Sequence, residues 1–488
     1  MPLQILSNDD INKILHSFTK DDILALQETL ADALHWYSTS SDGNNDCCSD
    51  YQPEQTTLKR KDGSTTVYLP ASGITGQGVK VLNIAATSPE GTTNNNNNGR
   101  PLPVVMPSNA SGGDSMTSTS SSSITTTSTS ASQATTESMR NLSLRSKSEI
   151  LDGTVAAPSS STTSKGSLTL FDNEGNTVGL INAEEITAFR TALASTMLFE
   201  KRQSVHDVTI FGAGKQAYWH ARLALLLRGE EIHHMNFVTH NFESAHHLLT
   251  KLYNPQPSDP TYINPIGTPY NSKTKKEILT PAHTEYTRLL KQYVRASNII
   301  FCCTPNPSPN PLFPATYLTN PEGRKKGRYI ACVGSYTSHM VELHPDVLRY
   351  AVAPHHEHRH VHKRQKEGGA ILVDSVEACL KFAGEVVKAG LSPDQVVELG
   401  EIFMLKRERE GIVKEGKAKG KGKKGEGDGE EEDDDGCHLQ ENSGLKEWLT
   451  RGNVIYKSVG LGLMDVVVGN ELLRISRERG VGMTVEEF

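Results

Sequence analysis

Eleven residues, Asp207-Val-Thr-Ile-Phe-Gly212-Ala-Gly214-Lys-Gln-Ala217, restrict what this chain can fold into more than any other stretch. A β-branched run leads into the pattern Gly-x-Gly-x-x-Ala, and a helical sequence continues from it. Alone such a pattern is weak. Between a strand and a helix it is the fingerprint of a dinucleotide cradle. Gly212 permits the tight turn, Gly214 clears the place where backbone must approach a pyrophosphate, and Ala217 lets the helix lie close to the strand. The helix N-terminus then offers free N–H groups and the positive end of its dipole to the phosphates. Gly212, Ala213, Gly214, Gln216 and Ala217 are the candidate contacts. The competing reading is a glycine-rich turn in an unrelated α/β domain.

The cofactor type is read at the end of the next strand, His233–Thr239, which continues into His240-Asn241-Phe242-Glu243. An NAD site ordinarily places Asp or Glu there for the ribose 2′-hydroxyl. Here His240 and Asn241 stand instead, and both can donate to a 2′-phosphate that a carboxylate would repel. NADP (as NADPH) is favoured and NAD is the alternative. A plain exposed strand-end histidine competes with both.

The chain has 488 residues, of which 36% are hydrophobic. The apolar deficit is concentrated. Residues 91–166 are almost all Asn, Ser, Thr and Gly, with an Asn run at 94–98 and a Ser/Thr tract at 115–136, and 414–436 is Lys, Gly, Glu and Asp. Such stretches bury too little apolar surface to offset their ordering entropy, so both are expected to be disordered, solvated insertions. A net charge of −7 argues against a general nucleic-acid binder. No apolar run reaches the ~18–20 residues of a membrane span, and the opening MPLQILSNDDINKILHSFTK lacks a signal-peptide pattern. The seven cysteines include the adjacent pairs Cys47–Cys48 and Cys302–Cys303, which are not metal-ligand spacings. The histidine-rich 355–363 fits no closed tetrahedral set. A reducing, cytoplasmic compartment is expected, with no metal, no membrane and no nucleic-acid partner.

Residues 7–37 read as helical, with Ser7 as N-cap. Residues 56–72 read as a hairpin around Lys61-Asp62-Gly63, and Val79–Ile84 as a further strand. Leu168–Phe171 and Val178–Ile181 form a second hairpin, and Ala183–Lys201 a helix. From Asp207 onward strand signals at Ser297–Cys303, Tyr329–Val333 and Ala370–Asp374 alternate with helical stretches, including Glu377–Gly390. Asn453–Val459 is strand-like and Leu461–Glu478 helical. Residues 254–290 and 350–369 read as loop insertions. The alternation predicts an α/β fold, a Rossmann-type doubly wound parallel sheet.

Further motifs occur in order. Thr187-Ala-Phe-Arg190-Thr191-Ala-Leu-Ala-Ser195 precedes the glycine turn, and Cys303-Thr304-Pro305-Asn306 follows it. Then come Val333-Gly334-Ser335-Tyr336, Val373-Asp374-Ser375, Ala383-Gly384-Glu385, Leu399-Gly400-Glu401 and Lys457-Ser458-Val459-Gly460 with Asp465. This ordered set closely resembles the ornithine cyclodeaminase/mu-crystallin family over most of the chain. The resemblance implies a homodimer, hydride chemistry at the carbon bearing the nitrogen of amino or imino acids, and a second α+β domain. That substrate and dimerisation domain comprises residues 1–203, with the insertion 91–166, and the return segment 451–488. The nucleotide domain is 204–450, with insertions 254–290, 350–369 and 414–436.

Residue roles follow from the same resemblance. Arg190, on the helix just before the nucleotide domain, grips the substrate carboxylate through its planar fork. Lys80 contacts the same carboxylate and positions or donates a proton. Thr304 and Pro305 line the ribose and nicotinamide, and Val459 and Gly460 pack against the nicotinamide ring. On local sequence alone Arg190 also fits a surface salt bridge and Lys80 a solvated strand lysine. Lys457 and Asp465 match the pattern too, or serve only to tie the C-terminal helix into the fold. Two positions depart from the family. Gln52-Pro53-Glu54 is followed by Gln55 where a second arginine clamp is usual, so the substrate-binding set is Gln55, Lys80, Arg190 and Tyr336. Tyr336 stands where cyclodeaminases carry a proton-handling aspartate, and a tyrosine with a pKa near ~10 is a poor base at neutral pH. The expected function is therefore NAD(P)H-dependent reduction of cyclic imino acids. Ornithine cyclodeaminase, an amino-acid dehydrogenase and a non-catalytic NADP or small-ligand binder are the alternatives.

Overall fold

Leu3–Leu6 forms a strand, β1, ahead of the helix that the sequence predicts from residue 7. That helical stretch is two helices, α1 (Asn8–His16) and α2 (Lys20–Ser38). Ser7 caps α1 reciprocally: its hydroxyl accepts from the Asp10 N–H while the Asp10 carboxylate accepts from the Ser7 N–H. Thr19 and Asp22 repeat the device and restart the chain as α2, which is why the run breaks. The computed structural model describes residues 2–38, 52–53, 55–84, 165–256, 262–268, 272–306, 309–335, 337–353, 369–403 and 443–488. All of them belong to one compact unit, Met1–Ala86 with Thr162–Phe488. Residues 91–164, 354–368 and 414–436, read above as insertions, lie outside the described residues.

The chain continues through β2 (Thr56–Lys59), β3 (Thr65–Gly73), β4 (Gly76–Ile84), β5 (Lys165–Phe171), β6 (Thr177–Asn182) and α3 (Ala183–Phe199). Next come β7 (Asp207–Phe211), α4 (Lys215–Arg228), β8 (His234–Val238), α5 (Phe242–Tyr253), β9 (Lys275–Leu279), α6 (Tyr286–Ala296), β10 (Ile299–Cys302) and β11 (Tyr329–Cys332). Then follow α7 (Pro345–Val352), β12 (Ile371–Val373), α8 (Val376–Phe382), α9 (Gly384–Ala389) and β13 (Val396–Glu398). The last elements are α10 (Ser443–Arg451), β14 (Val454–Lys457), α11 (Gly462–Arg479) and β15 (Met483–Val485). The first sheet has the order β15-β1-β6-β5-β4-β3-β2. It is antiparallel except for the parallel pair β1–β6.

The second sheet, β13-β12-β14-β11-β10-β7-β8-β9, is parallel throughout. Its strands feed two cores by alternation. In β10 Ile299 and Phe301 face one apolar cluster and Ile300 and Cys302 the other, and β11 repeats this with Tyr329 and Ala331 against Ile330 and Cys332. Helices cover both faces, which confirms the doubly wound α/β architecture. The cluster that takes Phe301 runs on without a break into the core of the first sheet, through α3 and α11. All of α3 except Glu184 and Thr187 is buried, as expected of a helix enclosed on every side.

Three expectations change. The 254–290 stretch contains a real sheet strand, β9, and the start of α6; Lys275-Lys276-Glu277 gives it an edge strand's charge and hides the pattern. Glu377–Gly390 is two short helices because Ala383 leaves helical geometry at ψ 105°. The brief strands β13 and β15 carry too few residues to register as periodic. Among the described residues no helix is long and apolar enough to cross a membrane.

Candidate active site

β7 and β10 lie side by side, and the chain leaves them in opposite directions, β7 toward β8 and β10 toward β11. Ligands of doubly wound sheets bind at this crevice, beyond the carboxyl ends of the strands. Gly212 follows β7 with φ +109°, a region L side chains rarely adopt, and its N–H donates to the Val238 carbonyl at 2.8 Å. A Cβ there would sit 2.9 Å from Thr304 Oγ1 and 3.1 Å from the Cys303 carbonyl, so the turn also needs glycine sterically. Gly214 is the N-cap of α4 and no side chain caps that end. A Cβ on Gly214 would meet nothing within 4 Å. Ala217 is fully buried, Ala213 and Gln216 are half-buried, and Gln216 Oε1 has no partner among the described residues. Open space before a helix N-terminus whose first N–H groups are free to donate fits a dinucleotide pyrophosphate.

The first sheet supplies the other half. Lys80, in the middle of β4, is 2% exposed, and its Nζ lies 2.5 Å from Asp465 Oδ2 on α11. Arg190, on α3, places Nε 3.3 Å from Asp465 Oδ1 and rests Nη1 on Met464 Sδ at 3.5 Å. Its Nη2 has no acceptor among the described residues and lies where a Cβ on Gly460 would be, at 2.8 Å. Asp465 reaches these cations because α11 lies very close to the sheet. At Gly78, two residues before Lys80, a Cβ would be 2.8 Å from Val466 Cγ2. Burial pulls the Lys80 ammonium down to about 8, against the opposing pull of Asp465, and the Arg190 charge lowers it further.

No family model matches the chain. An uncharacterized protein of Saccharomyces cerevisiae is 26% identical over 320 residues, spanning 62% of this chain and 71% of its own length. The structure is similar to Delta(1)-pyrroline-2-carboxylate reductase of Thermococcus litoralis, solved with NADH and L-proline. The two share 16% identity and a TM-score of 0.55, over 99% of this chain and 100% of the other. A probable ornithine cyclodeaminase of Bordetella pertussis is 15% identical with a TM-score of 0.52, over 98% of this chain and 99% of its own. The chain shares the fold of these two proteins.

Within this fold, the remaining residues sort clearly. Thr304, two residues beyond the end of β10, is half-buried and Pro305 exposed. Val459 and half-buried Gly460, at φ +97°, form the loop beyond β14. Asp374 at the end of β12 holds that loop: its carboxylate accepts from Ser458 Oγ and the Gly460 N–H, each at 2.7 Å. His240 is exposed just past β8. Asn241 uses its Oδ1 to cap α5, accepting from the Glu243 N–H at 2.8 Å, and keeps its amide as a donor. Gln55 is exposed. Thr56 pairs with Tyr68 and Leu69 with Lys80, so Gln55 stands one residue beyond the β2 ladder, level with Lys80 but two strands away. Tyr336 lies outside the described residues.

The resemblance gives Arg190 the substrate carboxylate as its partner, with a surface salt bridge as the alternative, and the structure shows a buried ion pair instead of a surface one. Asp465 already takes its Nε, and only the outer edge of the guanidinium is left. Glu342 carries no sequence signal, Asp374 is marked only by its motif, and Asp465 is read from the sequence as tying the C-terminal helix into the fold, not as the partner shared by Lys80 and Arg190. Among the described residues no cluster of His, Cys, Asp and Glu is arranged to hold a metal.

Proposed function

We propose that this protein is an NAD(P)H-dependent reductase of cyclic imino acids such as pyrroline- or piperideine-2-carboxylate. One observation carries the reading. Arg190, paired with Lys80 through Asp465, abuts Gly460 at the carboxyl edge of the parallel sheet, the edge that also carries the Gly212 turn and Thr304. Gly212, Ala213, Gly214, Gln216 and Ala217 would hold the pyrophosphate, His240 and Asn241 the 2′-phosphate, and Thr304, Pro305, Val459 and Gly460 the nicotinamide half. Bound there, a reduced nicotinamide supplies a hydride.

The chain's own residues do the rest. The outer N–H groups of Arg190 bind the substrate carboxylate and set the ring. Lys80, still mostly charged at pH 7, gives its proton to the imine nitrogen more readily than an ordinary lysine. Hydride at carbon and proton at nitrogen convert C=N to CH–NH, and no further base is needed. Ammonia loss would require one, and Tyr336 is a poor candidate for it, so direct reduction is favoured over cyclodeamination. NADPH oxidation with the two cyclic ketimines, run beside ammonia release from ornithine, tests this. Absorbance loss with a ketimine is expected, and its absence across both rings would defeat the reading.

Two substitutions probe the cofactor. Gly214 has φ −87°, and its Cβ position is empty, so Gly214→Ala should fold normally. The new methyl would occupy the pyrophosphate's approach, and NADPH affinity should fall about tenfold or more, about 1.4 kcal/mol. An unchanged Kd would remove the pyrophosphate from this place. For the 2′-phosphate, NADPH should bind more tightly than NADH, and His240→Asp should move the preference toward NADH by about tenfold. Equal Kd values for the two in the unsubstituted protein would count against NADP.

A further inference from the structure

We propose that Glu342 is a positioning residue for the nicotinamide half of the dinucleotide site, acting through the backbone of two loops without touching the ligand. The inference rests on the cofactor reading above and assigns a function to a residue outside it. Glu342 lies between β11 and α7 and is fully buried. Its Oε1 accepts from the Thr304 N–H at 3.1 Å. Its Oε2 accepts from the Gly334 N–H at 2.7 Å and the Ser335 N–H at 3.1 Å. One carboxyl group therefore ties together the loops that follow two neighbouring parallel strands, β10 and β11. Without it two buried N–H groups and a partly buried one lose their acceptor.

The two loops are pressed against each other as well. A Cβ on Gly334 would lie 2.3 Å from the Thr304 carbonyl and 2.5 Å from Glu342 Oε1. A second layer clamps the same place from β14. Lys457 Nζ donates to the Ser335 carbonyl and, at 2.6 Å, to Ser335 Oγ. It also pairs with Glu385 at 3.2 Å, which in turn accepts from Ser335 Oγ at 2.7 Å. Burial opposes the Lys457 charge, but Glu385 and Glu342 outweigh it and raise its pKa. Burial likewise pushes the Glu342 carboxyl up to about 8, against the pull of Lys457.

Thr304 stands across the switch point from Gly212, where the two halves of a dinucleotide part. β10, β11 and β14 lie on one side of β7, and β8 with His240 and Asn241 on the other. The network therefore serves one half only. It also fixes Ser335, the residue before Tyr336, and the end of β14, which leads to Gly460 and Arg190.

The test is a split between whole and half ligands. NADPH probes both sides, and ADP probes the adenosine side alone. Glu342→Ala should raise the NADPH Kd about tenfold and leave that of ADP within about twofold. Glu342→Gln keeps one carbonyl acceptor and should recover part of the loss. It also carries the test if the alanine variant does not fold. Equal weakening of NADPH and ADP would make Glu342 a structural residue only, and unchanged NADPH binding would overturn the proposal outright. Failure of the unsubstituted protein to bind NADPH would instead sink the cofactor reading, and this inference with it.

Discussion

Asp465→Asn is expected to cost the fold about 3–5 kcal/mol at neutral pH and to abolish imine reduction, because it strips two buried cations of their counter-ion. Lys80 Nζ and Arg190 Nε sit 2.5 Å and 3.3 Å from its two oxygens, and all three side chains are buried. Burial already pulls Lys80 down to about 8, and Asp465 is the group that opposes it. Without the carboxylate the remaining influences, burial and the Arg190 charge, act in the same direction. Lys80 then sheds its proton at pH 7, and this caps the damage. Because the unsubstituted Lys80 already titrates at about 8, losing its proton at pH 7 costs only about 1.4 kcal/mol, at roughly 1.4 kcal/mol per pH unit, and the rest of the loss falls on Arg190, which keeps its charge and has lost its partner. The cap also gives the deficit a pH dependence. Below about pH 8 the unsubstituted protein has a charged Lys80 in its pair, which the variant lacks. Above it the unsubstituted Lys80 is neutral too, and the gap narrows to the part that Arg190 contributes. Urea unfolding at pH 6 and pH 9 measures both gaps. Equal stability at pH 6, or a gap that widens at pH 9, would show that Asp465 is not the counter-ion this geometry makes it.

The sequence exposed what is local and hid what is closed over distance. The turn at Gly212–Ala217 was legible because strand, glycines and helix are consecutive, and each residue type has one physical reason to be there. β10 and β11 were legible as unbroken apolar runs, which strands buried on both faces must be. By contrast β1 needs β15 and β6 to be a strand at all: Leu3 pairs with Val485 and Gln4 with Gly179, and four residues alone hold no period. β9 carries its charges on an exposed sheet edge and reads as a loop. The site shows the same division. Lys80 and Arg190 could be named individually, but their shared partner is separated from Lys80 by 385 positions. Nothing in the spacing says that α11 returns to β4, or that Gly78 lets it come near. Glu342 was invisible for a sharper reason. Its partners are backbone N–H groups, which every residue has, so its own sequence carries no sign of what it holds.

Lys80→Met should lower kcat for a cyclic ketimine by about 10²–10⁴-fold, the usual contribution of a placed proton donor, while NADPH binding stays unchanged. Methionine fills the space of the lysine stem, and Asp465 keeps Arg190 as a partner, so the fold should survive. A pH profile separates a chemical role from a packing role. In the unsubstituted enzyme kcat/KM should fall as pH rises through about 8, because the deprotonated amine has no proton to give. That limb alone does not identify Lys80, since burial brings the Glu342 carboxyl to about the same value. The variant distinguishes them. If Lys80 is the donor, the small residual rate in Lys80→Met loses its fall above pH 8. If Glu342 sets the limb, the fall persists in that variant and vanishes in Glu342→Gln. Full kcat in Lys80→Met would take the residue out of the chemistry and leave it, with Asp465, as a buried strut between β4 and α11.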